Sequence, residues 1–219
     1  MKQVLYSLFI SGLMFTMPGF QCDKDYPPEP REWFREELQL TPARQSYRVG
    51  DTLWLRLQTP DRSLFDTVTS MRKSTSDFGI YLFLSLVALH DAPANPVDGY
   101  GSFVLPANVT ATTQTFDSRT NTQFVLGCNQ APNYNSTVGV VLQHRGIYVL
   151  DVGAGGALRS CRPDIRREPS PPVRFVLAVA STNKELYLAV PASVRAADPR
   201  AAFIEASLDT RRAFAFRVE

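Results

Sequence analysis

Two histidines and three cysteines in 219 residues leave few groups for acid–base or metal chemistry near neutral pH. His90 neighbours Asp91 and His144 neighbours Arg145, and neither has a His or Cys partner at metal-ligand spacing. There is no Gly-x-Ser-x-Gly elbow; Gly99-Tyr100-Gly101-Ser102-Phe103 departs from it. A Ser/His/Asp triad assembled by folding stays open, because triads are spatial and have no fixed sequence order. Excess charge is also missing: 23 Lys and Arg stand against 21 Asp and Glu. Such a chain exerts no global pull on nucleic acid. No apolar run reaches the ~20 residues of a helical membrane span, and there is neither an internal repeat nor a low-complexity tract. No metal, no cofactor and no catalysis are expected. A hydrolase with an unrecognised triad is the residual enzymatic alternative.

Lys2 precedes the apolar run Val4 to Phe15, which Pro18-Gly19 ends; this is the pattern of a secretory signal. Gly19-Phe20-Gln21-Cys22-Asp23-Lys24-Asp25 follows. Residues 19–25 resemble the lipoprotein signals of the Bacteroidetes, in which a Cys precedes a short Lys/Asp/Glu run. That resemblance implies loss of residues 1–21 and a lipid on Cys22. It also implies residence at the outer membrane, on the cell surface or the periplasmic face. Tyr26-Pro27-Pro28-Glu29-Pro30 is a stiff spacer, since Pro lacks the N–H and fixes φ, and residues 22–32 read as a tether. The 198 residues left suffice for one core. With Cys22 assigned to lipid, Cys128 and Cys161 are an even pair in an exported chain: a disulfide, or else two buried thiols.

The remainder reads as mainly β: an antiparallel sandwich over 33–180, with helices and a closing strand over 181–219 packed on the same domain. Trp33 to Leu40 is the first strand. Tyr47-Arg48-Val49-Gly50-Asp51-Thr52 is a turn entering the apolar strand that ends at Leu57. This turn, and Gly146-Ile147-Tyr148 further on, resemble early and late strands of immunoglobulin-like domains. Neither cysteine lies two residues after Tyr148, so the antibody arrangement is absent. Phe78 to Leu89 is the most apolar stretch beyond the signal, a strand buried on both faces or a buried helix. Further strands are expected at Ser102 to Leu105, Gln123 to Cys128, Val138 to His144, Ile147 to Val152 and Val173 to Ala180. Arg145-Gly146 is read as the turn of a hairpin, and Gly153 to Pro172 as irregular. Thr182-x-x-Glu185 is read as a capping box opening a helix that Pro191 ends. Asp198-Pro199 is read as the start of a second helix, to Leu208. Phe214 to Val218 closes the chain as a strand.

Several local patterns suggest chemistry and are set aside. Val149 to Gly156 resembles the glycine turn of S-adenosylmethionine-dependent methyltransferases, but no helical pattern follows it. The Arg159, Arg162, Arg166, Arg167 group is interleaved with Asp164 and Glu168, as in a solvated loop. Asp91, Asn95 and Asp98 offer oxygens without a calcium-loop spacing. Asn108 and Asn135 head sequons meaningful only in a eukaryotic host. Asp51-Thr52-Leu53 and Asp66-Thr67-Val68 resemble the O-glycosylation tripeptide of Bacteroidetes surface proteins. Tyr100, Phe103, Phe116 and Tyr134 fall in or near expected loops and are the candidate ligand-contacting aromatics. The expected role is a membrane-anchored binding or accessory module for a glycan or a protein, with a structural component of an outer-membrane complex as the alternative.

Overall fold

The computed structural model describes residues 33–219 apart from 95, 108, 110, 117, 129–131, 153–155 and 162–170. The signal 1–21, the lipid-bearing Cys22 and the tether 22–32 lie outside the described residues. So do Asn95, Asn108, Gly153 to Gly155, and Arg162, Arg166 and Arg167 of the basic group.

The apolar stretch is a strand: β6 (Phe78–His90) is the axis of a mainly antiparallel β-sandwich. Along one edge it pairs with β9 (Arg119–Leu126), which pairs with β8 (Ala111–Phe116). Along its other edge it changes partner. Its first residues pair with β12 (Gly156–Ser160), and from Ser85 onward it pairs with β11 (Gly146–Asp151). β11 leads to β14 (Ala213–Val218) and β2 (Ser46–Tyr47). β12 leads the other way, through β13 (Pro172–Leu177), β1 (Phe34–Thr41), β3 (Thr52–Leu57) and β10 (Ser136–Leu142) to β7 (Gly101–Val104). A hairpin of β4 (Ser63–Asp66) and β5 (Met71–Ser74) pairs with the start of β1. Leu84, Leu86, Leu150 and Phe216 share one buried cluster with Leu53, Leu55, Val140 and Leu177.

The back of β6, β11 and β14 is not left to solvent. Val87, Val149, Ala213 and Ala215 form a second cluster with Tyr187, Ile204 and Leu208. Those last three come from helices α1 (Lys184–Ala189) and α3 (Ala201–Asp209), with α2 (Ala192–Ala197) between them. Toward its C-terminal end, at Val87 and Leu89, β6 therefore has a cover on each face, while Tyr81 and Phe83 on the same back face are half-buried.

Four expectations fail in instructive ways. β10 and β11 are not a hairpin: β10 pairs with β3 and β7, β11 with β6 and β14. Residues 143–145 carry the chain between layers, and Gly146 takes φ 143° where a Cβ would lie 3.0 Å from Ala92 backbone. The stretch after Gly153 is not wholly irregular, since β12 lies in it. Thr182 does not cap α1. Asn183 stands there in the left-handed region (φ 53°), and its amide donates instead to the carbonyls of Ala215 (2.9 Å) and Arg44 (3.3 Å). α3 starts two residues later than Pro199, because Asp198 Oδ1 accepts from the Arg200 N–H and closes a tight turn first.

The structure joins Cys128 to Cys161, with Cα atoms 5.2 Å apart. Cys128 follows β9 and Cys161 follows β12, so the bridge spans the start of β6, which runs between them. Gly79 lies beneath it; a Cβ there would come 2.6 Å from Cys128 Sγ. Two buried carboxylates accompany the hairpin. Glu36 accepts from Arg72 (2.8 Å) and from the Phe65 N–H (2.9 Å), and burial pushes its carboxyl up. Asp66 accepts from Lys73 (2.7 Å), Thr69 and the Val68 N–H; the Lys73 contact chiefly holds its carboxyl well below the usual range.

Candidate binding groove

The aromatic loop expectation is corrected first. Tyr134 is 1 % exposed and Tyr100 3 %. The Tyr134 hydroxyl lies 2.6 Å from the Thr75 carbonyl and 2.8 Å from that of Phe78, and Arg62 covers its ring. Tyr100 meets the Tyr148 ring edge-on. Phe103 is partly buried against the main core. Phe116 ends β8, and its side chain is outside what is described. Tyrosine buries an apolar body while its hydroxyl finds a partner, so Tyr100 and Tyr134 plug the sandwich instead of facing a ligand.

The larger concavity lies elsewhere, at the C-terminal end of β6. Two adjoining cavities of 440 and 530 Å³ share Ala88, Leu89 and Ser118. The first is walled by α2 and the turn into α3. Its floor is apolar, with Leu89, Tyr187, Val190 and Ile204. Arg119, Arg195, Arg200 and Asp198 are the charged ones among the described residues that line it. Arg200 grips Asp198 through Nε (3.0 Å) and Nη2 (2.8 Å). Burial pushes the Asp198 carboxyl up, but its bonds from Arg200 outweigh this and hold it below the ordinary range. Arg195 donates from Nε to the Val190 carbonyl (3.1 Å) and lies 5.3 Å over the Tyr187 ring.

The second cavity holds His90 and Asp91, whose Nε2 and Oδ1 are 3.3 Å apart. Ser118 belongs to both cavities, so Ser, His and Asp share one groove. They do not compose a triad. The Ser118 hydroxyl accepts from Arg200 Nη2 (3.4 Å), and the imidazole turns to Asp91. A nucleophile needs its base within hydrogen-bond reach, and no such Ser–His bond occurs among the described residues. Nor, among them, do three or more His, Cys, Asp or Glu gather as a metal site.

A third concavity, of 440 Å³, lies at the far end of α3. Trp33, Arg174 and the end of α3 (Asp209 to Arg211) line it, with Arg174 over the Trp33 ring at 5.7 Å. Since α3 starts at the groove and finishes here, the groove and Trp33 are separated by about the 13 Å length of that helix. The outer face of β3 and β10 is open; Trp54 is 40 % exposed and leans on Gly139.

No family model and no curated protein matches the sequence. Among solved structures the chain is similar to cohesin domains. One is a non-cellulosomal cohesin from the archaeon Archaeoglobus fulgidus: 10 % identity, 71 % of this chain, 98 % of that chain, TM-score 0.35. Another is a type II cohesin domain from the Acetivibrio cellulolyticus cellulosome: 11 % identity, 64 % and 91 % coverage, TM-score 0.31. A third is the sixth cohesin of scaffoldin B from the same organism, solved with a Cel5 dockerin: 7 % identity, 64 % and 98 % coverage, TM-score 0.31. Likeness at this level says nothing of the side chains that line the groove.

Proposed function

We propose that this protein is an exported, lipid-anchored, non-catalytic binding module that holds a glycan or protein partner in the groove at the end of β6. One observation carries the reading: the groove and Trp33 touch opposite ends of α3. A tether ending at Trp33 would leave the groove about 13 Å from its point of attachment, the length of α3. The Pro-rich spacer, of at most about 35 Å if fully extended, sets the height. The Cys128–Cys161 bridge suits a compartment that tolerates disulfides. The groove is favoured over the open sheet face because Trp54 and Val104 there are flanked by exposed Arg56, Gln39 and Thr137, which interrupt the apolar surface.

Cys22→Ala in the native host tests the anchor. The protein should move from the membrane fraction to the soluble one; retention on membranes overturns the anchored reading. Protease shaving of intact cells then separates the two faces, because peptides beyond Pro30 are released only from the cell surface. Ser118→Ala with His90→Ala should remove no hydrolytic activity, whereas loss of such an activity on that double change would make the groove an active site.

A further inference from the structure

Among the described residues eleven large hydrophobic side chains are exposed, and four of them gather at one place: Phe65, Val68 and Met71 of the β4–β5 hairpin, and Trp33 beside it. Val68 and Met71 stand out most, at 61 % and 66 % exposed. The turn that presents them is pinned from within. The Thr67 N–H (2.7 Å) and hydroxyl (3.0 Å) both donate to the Trp33 carbonyl. Asp66, itself fully buried, accepts from the Val68 N–H (3.0 Å), the Thr69 hydroxyl (2.8 Å) and Lys73 (2.7 Å). Polar groups satisfied in this way can enter a medium poor in water without being left unpaired. A turn already ordered also loses little freedom when its apolar side chains are covered. Behind the tip, Arg35 pairs with Phe65 on one side and Arg174 on the other, and Arg174 lies over the Trp33 ring, so Phe65 and Trp33 share a face.

Where the chain leaves this patch decides what can cover it. Residues 22–32, at most about 35 Å if fully extended, join Trp33 to Cys22. A hairpin bonded to Trp33 is thereby kept within reach of whatever holds Cys22. Aromatic rings at headgroup level with aliphatic side chains beyond them are how a peripheral domain seats on lipid. We propose that the β4–β5 hairpin lies against the bilayer that holds Cys22, with Val68 and Met71 entering the acyl boundary and Phe65 and Trp33 at headgroup level. The proposal rests on the reading of Cys22 as the lipid-bearing residue and adds how the anchored domain is seated. The contact is apolar, so it needs no anionic lipid.

The test is photo-crosslinking of the protein, purified from its host membranes and reconstituted into phosphatidylcholine vesicles whose acyl chains carry a diazirine. Trypsin releases residues 63–72 as one peptide, which contains Phe65, Val68 and Met71. Lipid adducts should concentrate there and on the peptide with Trp33, and should be at least about tenfold fewer on the peptide with Trp54, from the open sheet face. Val68→Ser with Met71→Ser should lower the yield on 63–72 about tenfold. Both side chains are largely exposed, so the thermal unfolding midpoint should not move. Val68→Ile with Met71→Leu, which keeps the apolar surface, should keep the adducts. Adducts on 63–72 that require added phosphatidylglycerol, adducts as frequent on the Trp54 peptide, or a yield indifferent to the double serine change would each overturn the proposal. So would protein that sediments with the vesicles but carries no adduct on 63–72, the outcome if residues 22–32 or a second copy of the chain cover the hairpin. That last result leaves the anchored reading standing, whereas failure to sediment overturns both.

Discussion

Every residue of β11 is buried, whereas β1 alternates buried and exposed along its whole length. The two strands belong to opposite layers of one sandwich, and the difference lies in what covers each layer's back. Behind β11, Tyr187, Ile204 and Leu208 complete a second core. Behind β1 there is water along most of the strand, so Arg35, Glu37, Gln39 and Thr41 face outward. An alternating strand thus announces an open face, and an unbroken apolar strand announces a second cover. The groove exists where that cover stops short, at the turn from α2 into α3.

The comparison can be broken hardest at Phe216. Its ring packs against Tyr47, Tyr148 and Phe214, and Phe216→Ala should cost about 3–5 kcal/mol in denaturant unfolding. A loss below about 1 kcal/mol would mean the doubly covered layer is not the stability centre. Next comes the bridge between the strands on either side of β6. Cys128 and Cys161 are 33 residues apart, and replacing both with Ser should cost about 3–4 kcal/mol, chiefly by releasing the unfolded chain. Gly79→Ala, which crowds the same place, should destabilise as well.

A smaller, pH-dependent effect belongs to the hairpin beside β1. The folded Asp66 carboxyl is held below its unfolded value, so its contribution is present above the ordinary carboxylate pKa of about 4 and is lost as the pH falls through the lower folded value. Asp66→Asn should therefore lower the unfolding midpoint near neutrality, with the difference shrinking toward about pH 2; a constant difference would show that the charge is not what matters. Least of all should come from the open face: Gln39→Ala should stay within about 0.5 kcal/mol, and a larger loss would reveal a partner covering it.

Much of this framework is legible in the residues. β3, β6, β11, β13 and β14 carry dense apolar or alternating patterns, and the structure places a strand at each. β8, with Thr112, Thr113 and Gln114 exposed, has no such pattern and exists because β9 offers it a ladder. The β4–β5 hairpin depends on Glu36, Asp66, Arg72 and Lys73 meeting, which no local spacing reveals. Arg145-Gly146 misleads because a turn residue fixes a change of direction but not the layer to which the next strand belongs. The groove is the least legible part. Ala88, Arg119, Arg195 and Arg200 come from one strand end, one hairpin and one helix pair, and only their coming together makes the cavity. Tyr100 and Tyr134 mislead for the converse reason: loop sequence around an aromatic does not show whether the ring turns in.

One feature of β1 bears on how the protein carries load. Its start is the point from which the upstream chain departs, and it lies between β13, running parallel, and β3, running antiparallel. A pull on that upstream chain, with the rest of the fold held, would act along the strand axis. The ladder bonds on both sides of β1 then resist together as a lap joint, where a peeled edge would yield them one at a time. Mechanical lifetime is set by the rate of unfolding and not by equilibrium stability. A strand held this way should resist a pull along its axis for a time that the free energy of folding alone does not set.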